Sequence, residues 1–246
     1  MSALSIALIF FAIGVGSLVK GITGLGLPVI ALPVLTFFLG LPHAIGVLLV
    51  PIMVTNLIQA VQMRSAWREV RFLRPMLAMS VPGVAAGTWV LVVLSAEMLM
   101  LGLAAVLFIY IGVRALSPQT TIRRETAATL APFVGLMTGF AQGATGLCAA
   151  VFVPFLHAIG LDRRPMVLIV SVVFLVLSVV QLTALVIAGL FQPVYLLEGA
   201  LALIPVALFM PLGNRLGKHL PRAVFDRIFL VVLGVIGAGL VHGALR

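Results

Sequence analysis

From Met166 to Leu190 the chain runs without a single charged residue, and stretches of this kind recur along its whole length. An apolar run of about 20 residues matches the hydrocarbon core of a bilayer. Ten such segments can be marked: Ser2–Val19, Leu27–Leu39, Ala44–Met63, Pro75–Leu94, Met98–Leu116, Ala127–Ala141, Leu147–Ile159, Met166–Leu190, Val194–Leu212 and Ala223–Leu245. Only 9% of the 246 residues are charged and 63% are hydrophobic, against about 25% charged in a soluble domain. The runs are continuous rather than alternating, which excludes a membrane β-barrel. The chain therefore reads as an all-α polytopic membrane protein.

The net charge of +9 sits in short loops between apolar runs, so it points to membrane orientation rather than to nucleic acid. Residues 64–74, 114–125, 162–164 and 215–222 carry twelve of the fifteen Arg and Lys residues, whereas residues 40–43, 95–97 and 191–193 carry none. Placing all four basic loops in the cytoplasm forces residues 126–161 to enter and leave the membrane by one face. Two limbs of about 15 and 13 residues, each near 20 Å long, are too short to cross a core of about 30 Å. The expected solution is a hairpin of two half-helices that turns near the midplane. Segments one and two then form a matching hairpin from the opposite face, and each hairpin is followed by three crossings. The expected architecture is two inverted-topology repeats, 1–122 and 123–246, with both termini non-cytoplasmic. Residues 2–19 have no preceding Lys or Arg and no clear small-residue cleavage site, so they read as mature structure rather than a signal peptide.

The turns of these hairpins carry the polar residues. Lys20–Pro33 reads KGITGLGLPVIALP, and Gln142–Pro154 reads QGATGLCAAVFVP. Gly143 follows Gly21 by 122 positions, and Thr145 follows Thr23 by the same 122. Breakable polar spots at matching places in two halves point to a transporter binding site. Half-helix N termini offer free N–H groups and the positive ends of helix dipoles, which suit an anion. Lys20, Thr23, Gly24, Gly26, Gln142, Thr145 and Gly146 are the expected cradle, with the threonines as hydroxyl donors. Asn56, Gln59 and Gln181 are its expected flanking wall, Gln181 lying 122 positions after Gln59. Each has a plainer reading: the glycines as close-packing residues, Lys20 snorkelling to the interface, and the amides bonding helix to helix.

No carboxylate falls at an expected helix centre, which argues against a carboxylate proton relay or a membrane-buried cation site, and Glu97, Glu198, His43 and His157 lie near segment ends. The lone Cys148 reads as a buried thiol, and no catalytic, metal or cofactor motif appears. The expectation is a non-enzyme without cofactor, whose partners are a small anionic substrate and the lipid bilayer. A coupling proton and a homodimer stay open.

The two breaks, together with TNLIQA after the first and QGATGLCAAVFVPFLHAIGL at the second, resemble the TauE/SafE family of sulfite and organosulfonate exporters. The resemblance extends over nearly the whole chain. It implies a carrier in the bacterial inner membrane for sulfite, sulfoacetate or related anions. An anion channel or facilitator, and a membrane interaction subunit without transport, remain the alternatives.

Overall fold

A computed structural model describes residues 3–23, 26–116, 121–217 and 222–245, and these residues are helical throughout, without strands. The helices are α1 (Ala3–Thr23), α2 (Leu27–Leu39), α3 (Leu41–Gln62), α4 (Trp67–Val70), α5 (Arg74–Val93), α6 (Ala96–Leu116), α7 (Arg124–Thr145), α8 (Ala149–Ile159), α9 (Arg163–Ile187), α10 (Val194–Leu201), α11 (Leu203–Leu216) and α12 (Arg222–Ala244). Among the described residues five helical stretches are long and apolar enough to cross a membrane: Leu41–Gln62, Arg64–Val93, Ala96–Val113, Arg163–Ile187 and Val194–Leu216. Trp89, Phe133 and Ile187 stand exposed, a surface that suits lipid and not water. The protein is a multi-pass helical membrane protein.

Three expectations change. The first limb of each hairpin is a full-length helix. At 21 residues α1 measures about 32 Å, and at 22 residues α7 measures about 33 Å, so only α2 and α8 are short. The apolar runs understate α7 because Arg124, Glu125 and the polar end Gln142–Thr145 continue the helix beyond them. The basic stretch 64–74 is not an open loop but winds through α4 and two flanking 3₁₀ turns into α5. Segment nine is two helices, α10 and α11, meeting at Ala202.

The chain divides into two compact units that each draw on both halves of the sequence. Unit 1 comprises Met1–Pro51, Ser95–Ile111 and Leu190–Arg246, and unit 2 comprises Ile52–Leu94 and Gly112–Gly189. In unit 2, α5 and α7 pack backbone to backbone. A side chain on Gly139 would run into the Ser80 carbonyl, and one on Gly83 into the Leu136 carbonyl. Lipid gives no hydrophobic force between helices, so close backbone approach through small residues supplies the attraction. In unit 1, α1 and α11 pack the same way, with Gly213 against the Leu18 carbonyl. The helix α2 folds back on α1 where a Cβ on Gly16 would lie 2.7 Å from the Leu27 carbonyl oxygen.

The contacts of the two units correspond residue by residue. Gly21 faces Met210, Gly213 and Asn214, while Gly143 faces Val84, Gly87 and Thr88. Each of the last three precedes its counterpart by 126 positions, and Gly21 precedes Gly143 by 122. Helix ends keep the spacing as well: α1 ends at Thr23 and α7 at Thr145, while α2 begins at Leu27 and α8 at Ala149.

We expect Gly139→Ala to destabilise the folded protein by about 1–3 kcal/mol, the usual range for overpacking. Gly102→Ala, where nothing lies within 4 Å of the added carbon, should be neutral or stabilising. Thermal unfolding of the two purified variants in detergent checks the contrast.

Candidate functional site

The two breaks are built differently in detail. In unit 2, α7 ends on Gly146, whose φ of 73° is a left-handed cap that only glycine adopts at low cost. Its N–H donates to the Gln142 carbonyl at 2.8 Å. The Thr145 hydroxyl donates to the Ala141 carbonyl at 2.8 Å and accepts the Leu147 N–H at 3.3 Å. Its proton is therefore engaged in pinning the turn, which corrects the expectation of a free hydroxyl donor. Cys148, buried, takes the N-cap position of α8, and no side chain caps that helix. All residues from 141 to 150 are buried.

Gln142 and Gln181 form a reciprocal pair. Gln181 Nε2 donates to the Gln142 carbonyl at 2.9 Å, which fixes the orientation of the Gln181 amide. Its Oε1 must then accept, and it takes the Gln142 Nε2 at 2.6 Å. Gln142 Oε1 is left over, buried without a hydrogen-bond partner, and so is the hydroxyl of Ser178 one turn before Gln181. The amide pair joins α9 directly to the end of α7. Gln181 is thus attached to the break itself and not to a separate wall.

The other described amides of unit 2 lie on α3. Asn56 Nδ2 donates to the Ile52 carbonyl at 2.8 Å, and Gln59 Oε1 accepts the Ser171 hydroxyl at 3.4 Å. The hydrogen bonds place Gln142 with Gln181 and Gln59 with Ser171; they do not join these two sets.

In unit 1, α1 ends at Thr23 and α2 starts after Gly26, whose φ of 126° excludes ordinary side chains. Pro28 occupies the first turn of α2, and no side chain caps this helix either. Lys20 lies in the last turn of α1, where the carbonyl end of the helix dipole favours a cation. It is only 3% exposed. Enclosure by protein rules out the snorkelling reading, in which the ammonium would reach the surface. Gly24 and the Thr23 side chain lie outside the described residues, as does the stretch 218–221 with Lys218. Gly21 and Gly143, which marked the two breaks in the sequence, are packing glycines, as the plainer reading had it.

Sequence reasoning missed three features. The N-cap role of Cys148 was legible, since Cys148 follows Gly26 by the same 122 positions. Ser178 likewise follows Asn56 by 122. The pairing of His43 with Glu198, 155 positions apart, left no trace in the sequence.

Replacing Gln181 by Leu should cost about 1–3 kcal/mol, because the Gln142 amide loses its partner inside an apolar environment. The double variant Q142L/Q181L should recover part of that loss, with a coupling of about 0.5–3 kcal/mol in a double-mutant cycle of unfolding free energies.

A family model described as Sulfite exporter TauE/SafE matches residues 8–240 of the chain. No curated protein and no solved structure matches it.

Proposed function

This chain belongs to the sulfite exporter TauE/SafE family, and we propose from that premise that it is a secondary carrier exporting small sulfur-containing anions by alternating access. The family makes it a membrane transporter of sulfite or related anions and not an enzyme. Sulfite, sulfoacetate and related organosulfonates are the proposed cargo, and the bacterial inner membrane is the proposed location.

The observation that carries the site is the enclosure of Lys20 at a break followed by an uncapped helix start. An ammonium enclosed inside a membrane protein is unfavourable, so its burial points to a function. In unit 1, Lys20 and the backbone from Thr23 through Gly24 and Gly26 are proposed to contact the anion. In unit 2, Gln142, Gly146 and the first turn of α8 play that part, with Thr145 holding the turn in shape. Asn56, Gln59 and Gln181 are the proposed neighbouring polar groups.

Gln142 Oε1 adds a requirement of its own. It can only accept, so it favours an anion that also carries an O–H or N–H, such as hydrogensulfite. A fully deprotonated oxyanion would leave it unsatisfied.

The inverted-repeat reading of 1–122 and 123–246 draws support from the corresponding glycine contacts and the equal helix-end spacings of the two breaks. In a background lacking Cys148, a cysteine at Ser95 should react with an impermeant reagent only from outside the cell, and one at residue 118 only from inside. Labelling of residue 95 from the cytoplasm would overturn the topology.

Reconstituted protein should show saturable sulfite uptake and counterflow. Lys20→Ala should weaken sulfite binding by about 10- to 100-fold, the worth of a charge-assisted hydrogen bond of about 1.5–3 kcal/mol. Linear flux without saturation or counterflow would replace the carrier with a channel. Unchanged flux in the Lys20 variant would remove that residue from the site.

A further inference from the structure

Away from both breaks, unit 1 holds a buried acid against a base. Glu198, on the second turn of α10, is 3% exposed, and its Oε2 lies 2.5 Å from Nε2 of His43, on the first turn of α3. The His43 side chain is 24% exposed, so one face of the pair reaches the surface and the other is sealed. The imidazole stacks on Tyr195 with ring centroids 4.4 Å apart, and Phe191 meets Tyr195 edge-on at 5.7 Å. These rings fix the imidazole in the plane that delivers Nε2 to the carboxylate.

The helices leave no slack around it. A Cβ on Gly46 would lie 2.5 Å from the Tyr195 ring, and one on Gly199 would lie 2.8 Å from the Val47 carbonyl oxygen. The titratable groups that meet here are His43 from α3 and Glu198 and Tyr195 from α10. The connecting segment before α10 adds the apolar Phe191. The other described ionisable side chains of unit 1, Lys20, Glu97, Tyr110, Arg215 and His242, stand on α1, α6, α11 and α12.

We propose that His43 and Glu198 form a proton-binding site whose occupancy is coupled to anion transport. The step is simple to balance. A proton from the aqueous face adds to the imidazole nitrogen, and the imidazolium then neutralises the carboxylate. Release of that proton returns a neutral imidazole, which can keep one N–H on the carboxylate but no longer offsets its buried charge. A buried ion pair tolerates its surroundings, whereas a buried lone charge is strongly unfavourable. Proton binding therefore clamps the start of α3 to α10, and proton loss favours their separation. The helix α3 continues past Pro51 into unit 2, so the clamp acts on an element shared by both units. Glu198 lies near the end of the span Val194–Leu216 away from Arg215, the end expected to be non-cytoplasmic. The coupling partner is accordingly a proton taken from the outer side.

The inference rests on the transporter reading for its second half only, and the experiment separates the two. Infrared difference spectra of the purified protein between about pH 8 and about pH 6 should show carboxylate and imidazole bands lost in both Glu198→Gln and His43→Gln. In proteoliposomes, sulfite flux driven by a pH gradient should fall at least about fivefold in both variants, the lower end of typical site-to-site coupling. Sulfite counterflow at equal pH on both sides should persist, which separates lost coupling from lost folding. Absence of the bands in the unmodified protein overturns the proton site. Bands that disappear in the variants while gradient-driven flux is unchanged overturn the coupling. If the unmodified protein carries no sulfite yet shows the bands, the transport reading fails and the proton site stands.

Discussion

Backbone that leaves a helix inside lipid has no water to bond with, and every feature around the two breaks answers that constraint. At Thr145–Ala149 the answer is nearly complete. Gly146 caps α7, Thr145 bridges the turn on both sides, and Gln181 takes the Gln142 carbonyl. What stays open is the start of α8, without a side-chain cap, and one amide oxygen. The start of α2 after Gly26 is open in the same way. Helix starts are where a membrane protein can offer backbone N–H groups to a solute without unwinding anything further.

Such breaks need rigid support, and glycine contacts supply it. The first helix of each hairpin is anchored along one face by backbone-to-backbone packing, α1 on α11 and α7 on α5. Gly21 and Gly143 are part of these seams, and each directly follows the polar residue of its break, Lys20 or Gln142. The residues that hold the helix thus alternate with those that face the break. A methyl group on one seam would displace the polar end of the helix as well as weaken the seam.

The polar inventory also bears on the cargo. Oxyanions of sulfur present several acceptor oxygens, which call for donors in a dry site. An ammonium at the carbonyl end of α1 and N–H groups at the starts of α2 and α8 are donors only. The carboxylate of Glu198 is on α10, held against His43. An anion site keeps its acids at a distance, and a proton site requires one. The two proposed sites accordingly draw on different residues of the chain.

The helical membrane character, the two breaks and the family were legible in the sequence, because burial in lipid demands apolar runs and any departure from them shows. The start of α2 at Leu27 was readable for the same reason. The lengths of α1 and α7 were not, since a helix continues through polar residues that a hydropathy window cuts off. Nor was the use of Thr145, whose hydroxyl could equally have pointed to a solute until the Ala141 carbonyl claimed it. Lys20 was balanced between surface and interior by its sequence, and the surrounding helices decided for the interior. The pairings Gln142–Gln181 and His43–Glu198 join residues far apart in the chain. Local pattern determines which segments become helices in a membrane, but which polar groups satisfy one another is decided only when the helices pack and each buried donor takes the nearest acceptor.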